Sequence, residues 1–465
     1  MSGAGGWRAA AVVPELALLL LWAAVWNGFP LVFPDSGTYL GIAFGQQYAV
    51  DRSSFYGLAL KPFVALGSGA TGLWIGLFAQ ALVVSAALMV AVRALVPGGR
   101  SAWFWLLPLL ILTALPFHVG QLMPDALTGA TVLFAWAAAM REPGEDGAPA
   151  LWAAAVVTGL MHYTHLALLV VAAGVTIAVL AWSGIGWRAV GRRALAALLA
   201  AAAVFGAQVA ANALALGRAS YAPMGGVFLF ARLHEDGPAA RWLVRHCGRD
   251  APAPLCAIRE RLPRDSQLLL WNNELSPLAQ RIWYAAPAER WAWVEMLGDA
   301  ANGAVRDEPG AFLAAAVRGA VHQFASFAVL DDECPVGCRD PRAGITAALL
   351  RHRPETVAML HGSRQVRDAT ERTSFRAVTT PVAWLALLLL PVAAAWAWAR
   401  GDRPALALLL AVAAALVTNA ALAGALSDVH DRYQSRVVWL LPFALLMCAA
   451  RGVRRSDAAA SPCPA

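Results

Sequence analysis

Charge is what this 465-residue chain has least of: Asp, Glu, Lys and Arg make up only 14% of it, against about 25% in a soluble domain. Lysine is almost missing, with Lys61 the single example among 36 basic residues. Beside a hydrophobic content of 59%, that shortage excludes a water-soluble globular enzyme, and it excludes disorder too. The net charge of +7 reflects arginine used in place of lysine, and no nucleic-acid partner is inferred from it. Soluble-enzyme signatures are also absent: no glycine-rich phosphate loop, no His-Glu-x-x-His and no Gly-x-Ser-x-Gly. No internal repeat or heptad run appears.

Long apolar runs are present instead. A helix needs about 20 apolar residues to cross a bilayer. Ten stretches qualify, at about 11–33, 71–95, 103–119, 125–140, 150–162, 165–183, 194–216, 380–399, 404–425 and 437–450. The fold class is therefore an all-α polytopic membrane protein with about ten transmembrane helices. The first run is too long for a cleaved signal peptide and leads into Asn27-Gly28-Phe29-Pro30 rather than a small-residue cleavage site. Residues 150–183 divide in two, because one rod of that length would overshoot the bilayer and bury the polar run His162-Tyr163-Thr164-His165 at its centre.

Short cytoplasmic loops are enriched in arginine. With ten spans, one side collects Arg8, Arg93, Arg100, Arg141, Arg188, Arg192, Arg193, Arg400, Arg403, Arg451, Arg454 and Arg455, while the short loops opposite hold only Arg52, Lys61, Arg432 and Arg436. Both termini are thus expected in the cytoplasm, with the chain in a bacterial cytoplasmic (inner) membrane. Three regions follow: spans one to seven in 1–217, an extracytoplasmic soluble insertion in 218–379, and spans eight to ten with a cytoplasmic tail in 380–465.

The insertion is nearly neutral and reads as mostly helical, with three- and four-residue apolar spacing over Gly237–His246, Ala288–Ala301 and Pro309–Phe327. Trp271, Trp283, Trp291 and Trp293 read as core, the alternative being the membrane boundary. Cys247/Cys256 and Cys334/Cys338 read as two local disulfides in an exported segment, although four cysteines allow three connectivities. A zinc site would need four convergent ligands, and His246 adjoins Cys247 instead of standing at finger spacing.

Polar residues at span ends carry the functional information, because each costs energy unless paired or hydrated. Four clusters fall on the expected outer side. Phe33-Pro34-Asp35 with Asp51-Arg52-Ser53-Ser54-Phe55-Tyr56 follows the first span. His118 to Asp125 joins spans three and four, His162 to His165 joins five and six, and Ser427 to Arg436 joins nine and ten. Together they predict a hydrated vestibule suited to a substrate with a lipid tail and a polar head.

These motifs resemble the GT-C glycosyltransferases, multispan enzymes that use polyprenyl-phosphate-linked sugars. The likeness rests on Asp35 just after the first span, Asp51-Arg52-Ser53-Ser54-Phe55-Tyr56 leading into the second, Pro124-Asp125-Ala126-Leu127 opening the fourth, and Arg432-Tyr433 before the last. It covers about 1–217 and 380–450. The resemblance implies sugar transfer to an acceptor on the outer face, with Asp35 as base toward an acceptor hydroxyl or as its organiser, and Asp125 and His165 beside it in the catalytic group. Arg432, then Arg52, would bind the donor phosphate, with Tyr56, His118, His162, Asp431 and Tyr433 lining the substrate site. The chain departs from the family in two respects. Asp35 stands alone, without a paired acid, which leaves a divalent ion (Mg or Mn) an open matter. The soluble part is an insertion between late spans and not a C-terminal domain.

Each residue also has a plainer role to weigh. Asp35 and Asp125 can cap helices. His162 and His165 can hydrogen-bond between helices or, three apart, ligate a metal. His118 can mark the water boundary, Asp431 can belong to a solvated turn, and Arg432 can anchor at the interface. A transporter or flippase would need ionisable residues at mid-membrane, where only neutral Gln80, Gln208 and Asn419 stand out. A polymerase, ligase or acyltransferase acting on another lipid-linked substrate would use the same vestibule.

Overall fold

The computed structural model describes residues 12–46, 48–96, 104–329, 338–341, 344–367 and 371–460. Six of the described helices are long and apolar enough to cross a membrane: Thr71–Leu95, His165–Trp182, Trp187–Leu216, Ser374–Ala399, Arg403–Leu426 and Asp431–Val453. Shorter apolar helices at Val12–Asn27, Phe55–Ala65 and Ala148–Leu160 fill gaps between them. Among the described residues the only β-contact is an isolated parallel bridge, Leu31 to Gln121.

Local chemistry explains the breaks. The first helix bends at Leu21 and ends at Gly28, whose φ of 79° is the left-handed stop that glycine adopts without strain. The chain then runs extended, pairing Leu31 with Gly120 and Leu122 through backbone hydrogen bonds. The run at 103–119, expected as one span, is instead two short helices, Leu107–Leu112 and Leu115–Val119, parted at an extended Thr113. Pro116 opens the second of these. The Thr113 hydroxyl donates to Leu109 O and accepts from Leu115 N, sealing the break. The division of 150–183 falls where expected, with Ala148–Leu160 and His165–Trp182 meeting at a turn.

The Arg403–Leu426 helix is central, packing against His165–Trp182 on one side and Pro309–Ala325 on the other. Trp136, Trp439 and Phe443 are fully enclosed. Gly129 admits the Trp439 indole so closely that a methyl group there would lie 2.1 Å from a ring carbon. The basic loops gather at one end of the bundle: Arg451 holds Asp402 and Leu95 O, and Arg193 and Arg192 hold Glu142. The four polar clusters of the sequence lie at the other end.

The insertion is not one soluble unit. Residues 225–307 build their own core around Phe230, Leu243, Leu269, Leu278, Ile282 and Leu297, closed by the expected Cys247–Cys256 disulfide. The helix Pro309–Ala325 then leaves that core and lies along Arg403–Leu426, where Gly319 and Gly424 put backbone against backbone. The stretch from Gly344 to Arg367 buries Ile345, Leu349, Leu360 and Val366 in the membrane bundle's own core. Cys338 is buried and disulfide-bonded, and its expected partner Cys334 lies outside the described residues. Of the four tryptophans read as core, only Trp293 is buried, while Trp271 is exposed and stacks on Trp283.

Candidate functional site

Asp35 occupies the N-cap position of Ser36–Ala43, yet its side chain makes no capping bond. It turns to Arg52, with Oδ1 2.8 Å from Nη1, and to Arg432, with Oδ2 3.4 Å from Nη2. Arg52 also holds Asp51 at 2.5 Å. The other arm of Arg432 reaches Asp125 Oδ2 at 3.3 Å, and the second Asp125 oxygen takes Arg436 Nη1 at 2.8 Å. Arg436 then donates to Asn419 Oδ1 at 2.9 Å and to Thr164 Oγ1 at 3.2 Å. Three loops far apart in sequence thus meet in one alternating ionic chain, Asp51–Arg52–Asp35–Arg432–Asp125–Arg436. Beside its place at a helix end, each of Asp35, Asp125 and Arg432 therefore has ionic partners in this chain.

Access varies along the chain. The side chains of Asp125 and Arg436 are 2% and 1% exposed, whereas Asp35 keeps 27% and Arg52 14%. Asp35 and Arg52 are therefore the members of the chain most open to solvent. Burial works against the charge on Asp35, but Arg52 and then Arg432 outweigh it, holding the carboxyl below its ordinary range. Aromatic faces hold the guanidiniums: Arg432 lies 3.7 Å from the Phe33 centroid and 5.1 Å from that of Tyr433, and Arg52 lies 5.7 Å from that of Tyr39.

The other residues singled out in the sequence divide between support and surroundings. Tyr56 packs edge-on against Tyr39 and donates to Gln80, placing it just behind Arg52. His118 is buried and bonds Ser435 Oγ at 2.9 Å, in the turn between Arg432 and Arg436. His162 lies beside the chain and bonds Thr164, the residue that Arg436 also reaches. His165, expected in the catalytic group, is fully buried: Nδ1 bonds Thr158 O and Nε2 bonds Thr128 Oγ1, so both nitrogens link helices. Asp431 heads its helix and makes no hydrogen bond or ion pair among the described residues. Arg436 and Asp51 were missed as site residues. The i,i+4 spacing of Arg432 and Arg436 on one helix was the signal for the first.

The neutral residues read as mid-span turn out to brace these loops. Gln80 bonds Val119 O and Gln121 O, Gln208 bonds Ser53 and Leu160 O, and Asn419 bonds Tyr433 O, Gln434 and Arg436. None marks a path across the membrane. Among the described residues no group of three or more His, Cys, Asp or Glu is placed to hold a metal. A divalent ion at Asp35 or Asp125 would have to displace arginines from both carboxylates, so the donor set does not fit one as arranged.

Where the sequence predicts a hydrated vestibule, the side chains are joined in an ionic chain that leaves Asp35 27% exposed. An apolar groove of about 560 Å³ runs along the bundle between Leu107–Leu112, Glu371–Ala399 and Leu440–Ala460, lined by Leu109, Leu385, Leu389, Trp396 and Leu445. A small crevice shares Leu112, Thr113, Val382 and Pro442 with it and extends to Trp439, whose indole donates to Arg436 O. The crevice, not the groove itself, thus comes within about one helical turn of the buried arginine.

The architecture defines an all-α, multi-pass membrane protein with an ionic site at one end of its bundle. No family model matches the chain, and no curated protein matches it. Two solved structures are similar: ArnT from Cupriavidus metallidurans bound to undecaprenyl phosphate, and ArnT from the same organism in the apo state. Each is 17% identical over 98% of this chain, covers 80% and 79% of its own chain respectively, and superposes with a TM-score of 0.33. The overlap is too loose to transfer a residue role.

Proposed function

We propose that this chain is a membrane glycosyltransferase that takes a sugar from a polyprenyl-phosphate-linked donor and passes it to an acceptor hydroxyl. The reaction is placed at the outer face of the cytoplasmic membrane, because the arginine-rich loops gather at the opposite end of the bundle. One observation carries the reading: Arg52 and Arg432 converge on Asp35, the most exposed carboxylate of the ionic chain. Two guanidiniums on one carboxylate form a site that a phosphate can enter by exchange, since it accepts the same forked hydrogen bonds. The apolar groove that reaches Pro442 offers the polyprenyl tail a path in the bilayer.

In the proposed step the acceptor oxygen attacks the sugar's anomeric carbon. The bond from that carbon to the phosphate oxygen breaks, its electrons leave with the polyprenyl phosphate, and the acceptor proton goes to Asp35. Arg52 and Arg432 neutralise the departing phosphate. While both arginines hold Asp35, its carboxylate is a weak base; donor binding draws them away and raises its proton affinity at the moment it is needed. Asp125, deep and paired with Arg436, keeps the helix bearing Arg432 in place.

The test is transfer from a labelled polyprenyl-phosphate monosaccharide by the purified protein in proteoliposomes. Asp35→Asn should lower turnover by at least about 100-fold while the protein stays folded. Full activity in that variant overturns the assignment. Label carried across the bilayer with its sugar–phosphate bond intact points to transport, and consumption of a lipid pyrophosphate alone points to another transferase.

A further inference from the structure

The loop 427–430 is the link between the central Arg403–Leu426 helix and the helix that carries Arg432 and Arg436, and it is held from the insertion. Asp428 receives Gln267 Nε2 at 2.9 Å, Ser266 Oγ at 3.2 Å and Arg232 Nη1 at 3.5 Å, besides its own loop's Val429 N at 2.7 Å. Gln267 also bonds the His430 ring at 3.2 Å. Gln323 grips the His430 backbone on both sides, donating to its carbonyl at 2.8 Å and accepting from its amide at 2.9 Å. Below, Gly319 meets Gly424 so closely that a methyl on the first would lie 2.0 Å from the carbonyl oxygen of the second. Arg232 is itself steadied by Asp236 at 2.9 Å.

We propose that Asp428 is a positioning residue, a latch through which the insertion sets where Arg432 stands between Asp35 and Asp125. Resting on the glycosyltransferase reading, this gives the insertion a part in donor binding. Asp428 lies four residues before Arg432 and makes none of the bonds of the ionic chain, so its influence passes through the register of the helix that begins at Asp431. The carboxylate is the common acceptor for three insertion side chains from two helices, one of which also reaches the His430 ring through Gln267. Asparagine keeps the shape but surrenders the charge that Arg232 and Gln267 address.

Donor KM and kcat are measured for Asp428→Asn, Gln267→Ala and Asp428→Glu in the full chain, with thermal unfolding as the folding control. Asp428→Asn should raise the donor KM about tenfold, the size of one charge-assisted hydrogen bond lost, with kcat changed less than threefold. Asp428→Glu should recover most of that loss. A wild-type KM in folded Asp428→Asn overturns the latch, as does an equal fall in kcat and kcat/KM. Should Asp428→Asn not accumulate, Gln267→Ala reads the same coupling, and a wild-type KM there overturns it equally. Asp35→Asn is run in parallel: if it transfers sugar normally, the glycosyltransferase reading has failed, whereas its inactivity beside a wild-type Asp428→Asn removes the latch alone.

Discussion

Two ionic clusters in this molecule use the same side chains in different surroundings. In the bundle, Asp125 with Arg436 and Arg432 is nearly sealed from solvent. In the insertion, Glu308 binds Arg241 and Arg245, and His246 bridges Asp250 and Asp307 on the open surface. The surface cluster works in high dielectric and adds little to stability. The buried one pays a desolvation cost of several kcal/mol per ion, a cost that apolar packing would avoid. Apolar packing in place of this ionic chain would fold at lower cost, and that cost is what the proposed function accounts for.

The comparison is broken most severely by removing the carboxylate at the centre of the buried cluster. Asp125→Ala leaves Arg436 without its ion partner and Arg432 with one fewer, and should destabilise the protein by about 3–5 kcal/mol in thermal unfolding in detergent. A smaller effect, on binding, is expected at Arg432→Lys: the charge stays, the fork is lost, and the donor KM should rise about tenfold at little cost in stability. The mildest change is Glu308→Gln in the insertion, worth at most about 1 kcal/mol. If Glu308→Gln destabilised the chain as much as Asp125→Ala, the contrast would collapse.

Acidity sharpens the same contrast. Hydrogen bonds from Arg241 and Arg245 hold the Glu308 carboxyl down to about 2. Its contribution is complete above the ordinary glutamate value, about 4.3, and is lost as pH falls from there toward 2. His246 moves the other way, raised by its bonds to Asp250 and then Asp307. That contribution is complete below the ordinary histidine value, about 6.5, and is lost as pH rises through the shifted one. The insertion should therefore be most stable between about pH 4.3 and 6.5. Glu308→Gln should flatten the acid limb of a melting-temperature profile and leave the other limb intact.

Much of the site was legible because span ends punish unpaired polarity. Asp35, Arg52, Asp125 and Arg432 stand out in sequence for that reason, and they are the residues the fold joins. His165 stands out by the same rule but satisfies itself within the helix packing, a choice that depends on Thr128 and Thr158 lying opposite. The break at 103–119 carried its warning in Pro108 and Pro116, which apolar length alone does not weigh. The two-part insertion was not legible. Pro309–Ala325 has the three- and four-residue spacing of any surface helix, and only the fit of Gly319 against Gly424 says which surface it covers.

Two glycine seams flank the ionic chain, Gly319 on Gly424 toward Arg432 and Gly37 on Gly344 toward Asp35, where a methyl on Gly37 would stand 2.1 Å from the facing carbonyl carbon. Each is a joint with no shim space, so drift in the outer shell of the insertion can accumulate freely while a single carbon at these joints would be transmitted straight to the reacting groups. A designer wishing to graft a different exterior onto this protein has four positions to leave untouched, and they are the ones with nothing on them.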